Sequence, residues 1–224
     1  MEINNISKKY KYQLFSNIKY EFKKNNIYSI FGKNGIGKTT LLNIIAGFIN
    51  TDSGAINYKG YENEIMFIDE NPIPFELLSG EEFIIMTLKF KNLNIELQEI
   101  HNLFKLFEMF NYKDSIISTY SKGMKYKLLI ILIKLTNPKI LILDEPLNEV
   151  DIITLEKVRN LFYNMKKDRI IIFSTHIPDM AFKLSDTILY LTHNKLIEKE
   201  NCFNSSNEIE KYIFDLMNKK NINN

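Results

Sequence analysis

The stretch from Ile27 to Phe48 imposes the narrowest constraint on this chain. A short apolar run containing Ile27, Ile30 and Phe31 passes into a glycine-rich loop and then into a helical pattern carried by Leu41, Leu42, Ile44, Ile45 and Phe48. Gly32, four intervening residues and Gly37-Lys38-Thr39 match G-x-x-x-x-G-K-[ST]. A loop of this kind turns successive backbone N–H groups toward phosphate oxygens at a helix N-terminus. Each residue type has a physical reason. Gly32, Gly35 and Gly37 allow backbone angles and a close approach that a Cβ forbids, Lys38 supplies a point charge, and the Thr39 hydroxyl suits Mg²⁺. Gly47 is placed to end the helix. The plain alternative, a glycine-rich turn that binds nothing, leaves the strand before the loop, the Lys-Thr pair and the helix after it unexplained.

At 224 residues the chain is long enough for one substantial core, or one core with an inserted subdomain. Lys plus Arg of 29 against Asp plus Glu of 27 gives a formal +2, which lacks the charge excess expected of a nucleic-acid binder. Lys122, Lys125 and Lys127 form the one local basic cluster and read as a solvated face. The single cysteine, Cys202, excludes an internal disulfide and cannot build a cysteine-rich metal site alone. Lysines near the N-terminus are followed by no apolar stretch, which argues against a secretory signal. The longest aliphatic run, 128–133, is far short of the ~20 residues that span a bilayer. The expectation is a cytoplasmic chain.

Taken in order, residues 1–31 place Ile3, Ile6, Leu14, Phe15, Ile18, Tyr20 and Phe22 at spacings close to two, the pattern of short strands, interrupted at Tyr10 and Tyr12. Strands are also expected at Ala55–Tyr58 and Ile65–Ile68, after which Pro72 and Pro74 mark a boundary. From about 71 to 136 the period becomes helical. Ser79 and Glu82 stand in capping-box relation, and Leu97, Ile100, Leu103, Phe104, Phe107 and Phe110 trace a stripe in which His101, beside it without a companion ligand, reads as structural. Ile140–Leu143 is then an aliphatic strand ending in Asp144-Glu145, followed by a helix through Leu155–Met165 and a second aliphatic strand, Ile170–Phe173, ending in Ser174-Thr175-His176. Continuous aliphatic strands around a helix imply a parallel sheet. A hairpin at His193-Asn194, a helix around Ile209–Met217 and a polar tail over 218–224 complete the chain. The fold class that results is α/β with a mainly parallel sheet, an N-terminal antiparallel β subdomain and an inserted helical subdomain, all within one domain.

A phosphate loop alone is shared by kinases, GTPases and motors; the carboxylates narrow the chemistry. Asp144 at a strand end can hold Mg²⁺ through water, and Glu145 can orient and deprotonate an attacking water, which favours hydrolysis. With these residues in place, the sequence resembles the ATP-binding subunits of ABC transporters over essentially residues 1–200. GKNGIGKTT, which includes Asn34 and Thr40, looks like the Walker A motif, and ILILDEP like Walker B with Glu145 at the catalytic base. YSKGMKYKL resembles the family signature through Ser121 and Gly123, with Ser121 preceding Asp144 by 23 residues (144 − 121). Leu147 through Asp151 resembles the D-loop, His176 the switch histidine, and Tyr10, rather than nearby Tyr12, the residue that stacks on adenine.

Leu78-Ser79-Gly80-Glu81 imitates the signature but lies too far before Walker B, and a helix cap explains it. Lys122 and Met124 depart from the usual signature, and Glu70 stands where the family generally has the Q-loop glutamine. A carboxylate accepts as an amide oxygen does but cannot donate, so Glu70 retains an acceptor for water or metal and loses a donor. The resemblance implies ATP and Mg²⁺ as ligands, a second ATP-binding subunit whose signature completes the site, and a separate transmembrane permease meeting the region from Glu70 to Phe75. It also points to exporters of the antibiotic-resistance and bacteriocin-immunity kind. A nucleotide-driven switch or assembly factor of the same fold, without transport, is the alternative.

Overall fold

The computed structural model describes residues 1–69, 73, 75–145 and 152–218, with side chains from residue 155 onward in the last stretch. The chain divides into two compact units: Met1–Glu70 with Lys139–Pro146 and Arg159–Asn224, and Asn71–Pro138 with Leu147–Val158.

The first unit opens with β1 (Glu2–Lys9) and β2 (Gln13–Glu21), then β3 (Asn26–Phe31), α1 (Lys38–Ile45), β4 (Ser53–Asn57) and β5 (Ile65–Ile68). A small antiparallel sheet in the order β2-β1-β4 turns Ile3, Ile6, Phe15 and Ile18 into the core, all at 0% exposure. Ile3 to Ile6 and Phe15 to Ile18 are steps of three, which an unbroken strand would put on opposite faces. Asn5 and Asn17 take left-handed backbone angles (φ 52° and 54°), and the β1–β2 register shifts between Ile3 and Ile6. Asparagine tolerates that conformation better than most residues, and the bulge returns the apolar side chains to one face.

α1 buries Leu41, Leu42, Ile44 and Ile45. Phe48, expected on the same face, is instead 70% exposed. Gly47 adopts φ 82°, which takes the chain off the helical path before Phe48 is reached. The ring meets Phe67 edge-on at 5.5 Å.

The second unit is helical, with α2 (Gly80–Phe90), α3 (Leu97–Leu106) and α4 (Lys122–Thr136). At α2 the Ser79 side chain accepts from Glu82 N (3.2 Å) while the Glu82 carboxylate accepts from Ser79 N (2.8 Å). That reciprocal cap satisfies two orphan donors and holds Glu82 below the usual carboxylate range. α3 ends sooner than its stripe implies. Leu97 is 49% exposed, and Glu108 at φ 59° redirects the chain after Phe107, so Ile100, Phe104, Phe107 and Met109 carry the burial and Phe110 falls in a short 3₁₀ turn. His101 Nε2 meets Glu81 Oε2 at 2.5 Å, with Phe110 edge-on at 5.5 Å. In α4 the run Leu128–Ile133 is buried throughout, as a helix apolar on every side requires.

The chain returns to the first unit with β6 (Ile140–Leu143); α5 (Ile152–Met165) begins in the second unit and ends in the first, which continues with β7 (Ile170–Ser174), α6 (Pro178–Leu184), β8 (Thr187–Leu191), β9 (Leu196–Glu200) and α7 (Ser206–Asn218). The main sheet runs β5-β6-β7-β3-β8-β9, parallel except for the final β8–β9 hairpin. Every residue of β6 and β7 is buried, consistent with strands covered on both faces. β7 lies between β6 and β3, with Ile30 opposite Ser174 and Leu143 opposite Phe173. The loop after β3 and the acidic pair after β6 therefore leave the same edge of the sheet, two strand spacings apart, about 10 Å. Ligands of open α/β sheets bind at that carboxyl edge.

Candidate functional site

β3 ends at Phe31 and α1 begins at Lys38, so residues 32–37 form the loop between them. Gly35 and Gly37 hold φ 76° and 102°, angles that cost residues with a Cβ about 1–2 kcal/mol. Gly37 is also the N-cap of α1, where no side chain caps the helix and no acidic residue occupies the first turn. The first N–H groups of an α-helix have no intrahelical acceptor. Lys38 folds its ammonium back over the loop onto Gly32 O at 3.2 Å. Helix N–H groups left uncapped, their positive dipole end and a lysine beside them make a donor set matched to phosphate. Asn34 and Thr39 are exposed and Thr40 half-buried around this loop. The oxygen donors of Thr39 and Asp144 suit Mg²⁺, which characteristically takes one or two protein oxygens together with phosphate oxygens. Among the described residues no group of three or more His, Cys, Asp or Glu could hold a metal without such help.

Asp144 is 3% exposed, and its N–H extends the β5–β6 ladder by donating to Ile68 O at 2.9 Å. Ser174, at 0% exposure, donates its hydroxyl to Asp144 Oδ1 (2.5 Å) and accepts from Glu145 N (2.9 Å). Glu145 stands at φ 48°, an uncommon angle for a non-glycine residue. Its carboxylate meets His176 Nδ1 at 2.6 Å, and because a carboxylate only accepts, Nδ1 is the donor there. Thus Asp144, Glu145, Ser174 and His176 form one connected group at the carboxyl edge. Ser174 was not singled out from sequence; its signal was a polar side chain closing an aliphatic strand just before Thr175-His176.

The remaining residues named from sequence lie elsewhere. Ser121 is the N-cap of α4 in the second unit and accepts from Met124 N at 3.2 Å. A Cβ on Gly123 would meet only Ser121 Oγ, at 3.9 Å, so that position faces open space. Lys125 pairs with Glu76, and Lys127 with Glu108 at 3.5 Å. Glu70 and Asp151 lie outside the described residues. Of the stretch from Glu70 to Phe75, Ile73 is buried and Phe75 is 50% exposed. His193 serves the β8–β9 turn, with Nδ1 at 2.7 Å from Leu14 O.

Tyr10, just past β1, is 54% exposed with Lys8 Nζ 5.4 Å from its ring centroid; Tyr12 is 72% exposed. Tyr10→Ala is expected to weaken ATP binding by about 1–3 kcal/mol, the usual contribution of a ring stacked on a base. Titration with labelled ATP checks this, and an equal loss from Tyr12→Ala alone would transfer the role to Tyr12.

Residues 15–148 match the ABC transporter family. The chain belongs to that family. Its ATP-binding subunits hydrolyse ATP, and this chain is one of them. The lantibiotic transport ATP-binding protein SrtF of Streptococcus pyogenes is 30% identical over 211 residues, covering 89% of this chain and 90% of that protein. An uncharacterized ABC transporter ATP-binding protein of Bacillus subtilis, YcbN, is 30% identical over 217 residues, 89% and 68% of the two chains. The spermidine/putrescine import ATP-binding protein PotA of Thermotoga maritima is 29% identical over 212 residues, 88% of this chain and 57% of that one. Among solved structures, the ATP-binding subunit of an ABC transporter superposes with a TM-score of 0.79 at 23% identity, covering 89% of each chain. An ATP-binding cassette in its ADP conformation gives 0.71 at 21%, covering 94% of each. The α/β fold of this ABC subunit is therefore that of the family's ATP-binding cassettes. No helix among its described residues is long and apolar enough to cross a membrane.

Proposed function

We propose that this ABC subunit is the ATP-hydrolysing motor of an exporter of peptide or drug-like cargo, working as one of a pair with ATP at their interface. The transmembrane permease is a separate chain that meets the region from Glu70 to Phe75, and the subunit sits on the inner face of the cell membrane through it. The observation that carries the hydrolytic part is the contact of Glu145 with His176 beside Asp144, at the sheet edge that also bears the phosphate loop. Export is favoured over import because the similarity to the lantibiotic protein spans nearly its whole length, whereas that to the polyamine importer spans little more than half.

In this reading Gly32, Asn34, Gly35, Gly37, Lys38, Thr39 and Thr40 hold the triphosphate, with Tyr10 against adenine. Thr39, Asp144 and Glu70 are the residues that would hold Mg²⁺, which would supply positive charge against the charge developing on the phosphates. Glu145 takes a proton from the attacking water as its oxygen bonds to the γ-phosphorus, and the bond to the β-phosphate oxygen breaks with ADP as leaving group. His176 orients the Glu145 carboxylate through Nδ1. Ser121, Gly123 and Asp151 act on the partner's nucleotide.

The test is assembly. With hydrolysis slowed by Glu145→Gln, ATP is expected to drive the subunit into a dimer visible by light scattering, both alone and with its permease assembled. Adding Gly123→Asp should undo that dimer, because a carboxylate against the γ-phosphate is repelled strongly in a partly desolvated interface. The open space at Gly123 lets the variant fold. If the double variant still dimerises with the permease complex assembled, the trans-acting signature is lost; if the subunit copurifies only with soluble proteins, the nucleotide-switch alternative replaces transport.

A further inference from the structure

We infer that Ser174 is a positioning residue of the ATPase site, fixing Asp144 and Glu145 relative to one another so that the metal-facing carboxylate and the base act on the same phosphate; the inference rests on the hydrolytic reading above. A serine hydroxyl has one proton and two lone pairs. Its proton goes to Asp144 Oδ1 at 2.5 Å, which fixes the hydroxyl rotor, and a lone pair receives the backbone N–H of Glu145 at 2.9 Å. One buried atom thereby sets the plane of the Asp144 carboxylate and the backbone from which the Glu145 side chain departs.

The ladder explains why a side chain is needed there. Asp144 N donates toward β5, to Ile68 O, and the next N–H, that of Glu145, points to β7, where the Ser174 hydroxyl stands in for a strand carbonyl. The backbone of Glu145 then turns at φ 48°, and its carboxylate reaches His176 on the same β7 extension. Ser174 and His176 thus act from one strand end on the two consecutive carboxylate residues. Thr175 cannot take over, because its hydroxyl accepts from Ile177 N at 3.0 Å and contacts Met180. Without the Ser174 hydroxyl, a buried carboxylate oxygen loses a donor and the Glu145 N–H loses its acceptor, and the pair is free to rotate out of register with bound nucleotide.

Binding of a fluorescent ATP analogue to the intact chain, in EDTA and across a Mg²⁺ series, separates positioning from simple scaffolding. Ser174→Ala is expected to keep Mg²⁺-free affinity within about two-fold, to raise the Mg²⁺ concentration giving half of the metal-dependent gain in affinity by about ten-fold, and to lower turnover at saturating Mg²⁺ by about ten-fold, the scale of one hydrogen bond to a charged group. Ser174→Cys, which fills the space and keeps a weak donor, should fall between the two, and it is measured in place of Ser174→Ala if the latter does not fold. An unchanged Mg²⁺ midpoint overturns the inference, as does an equal loss of affinity with and without Mg²⁺. If Glu145→Gln hydrolyses ATP at the wild-type rate, the hydrolytic reading itself has failed; if that variant is slow while Ser174→Ala matches wild type, only the role of Ser174 is withdrawn.

Discussion

Glu145→Gln is expected to lower ATP turnover by roughly 10²–10⁴ while leaving nucleotide affinity close to wild type. The amide matches the carboxylate in shape, and its oxygen can still accept from His176 Nδ1, so the 2.6 Å contact that orients the side chain survives. What disappears is the capacity to take a proton from water. Lys38, Thr39 and Asp144 are untouched, and the backbone N–H of Glu145, which Ser174 receives at 2.9 Å, does not depend on the side chain. Phosphate release under saturating ATP and Mg²⁺ reads the loss; turnover within ten-fold of wild type would mean that Glu145 is not the base.

Lys38→Ala is expected to abolish useful ATP binding, a loss of about 10²–10⁴ in affinity when the ammonium serves two phosphate groups at about 1.5–3 kcal/mol per charged hydrogen bond. Its Nζ lies 3.2 Å from Gly32 O, across the mouth of the loop, and the uncapped start of α1 offers only partial charges in its place. Several phosphate charges would then be held without the principal counter-charge. Equilibrium binding of labelled ATP measures this, with thermal unfolding to show that the variant is folded. Wild-type affinity would remove the phosphate site from this loop.

How much was readable in the sequence followed the range of the interactions. The loop from Gly32 to Thr40 is contiguous, so its chemistry is written in consecutive residues, and the capping box at Ser79 and Glu82 spans a single turn. The aliphatic runs at Ile140–Leu143 and Ile170–Phe173 announce buried parallel strands because each is four residues long, bounded by polar residues, and the two flank a helical pattern. Periodicity misled where one residue in a left-handed conformation reset it. Gly47 removes Phe48 from the α1 face, Glu108 ends the α3 stripe before Phe110, and Asn5 and Asn17 make steps of three serve one strand face. Ser174 was illegible for a different reason: its partners lie 29 and 30 residues away, and only the β6–β7 register brings them together. Tyr10, Ser121, Gly123 and His176 entered through family resemblance, since neither stacking on a base nor action on another chain's nucleotide leaves a local pattern.

The identity of the nucleotide retained by Glu145→Gln shows whether Glu145 activates the attacking water. The subunit assembled with its permease is incubated with Mg²⁺ and ATP labelled in either the α- or the γ-phosphate, filtered, and the bound label counted. Retention of both labels in equal amount, as intact ATP, against loss of the γ-label from wild type, is the expected result. Loss of the γ-label from the variant at the wild-type rate would contradict it.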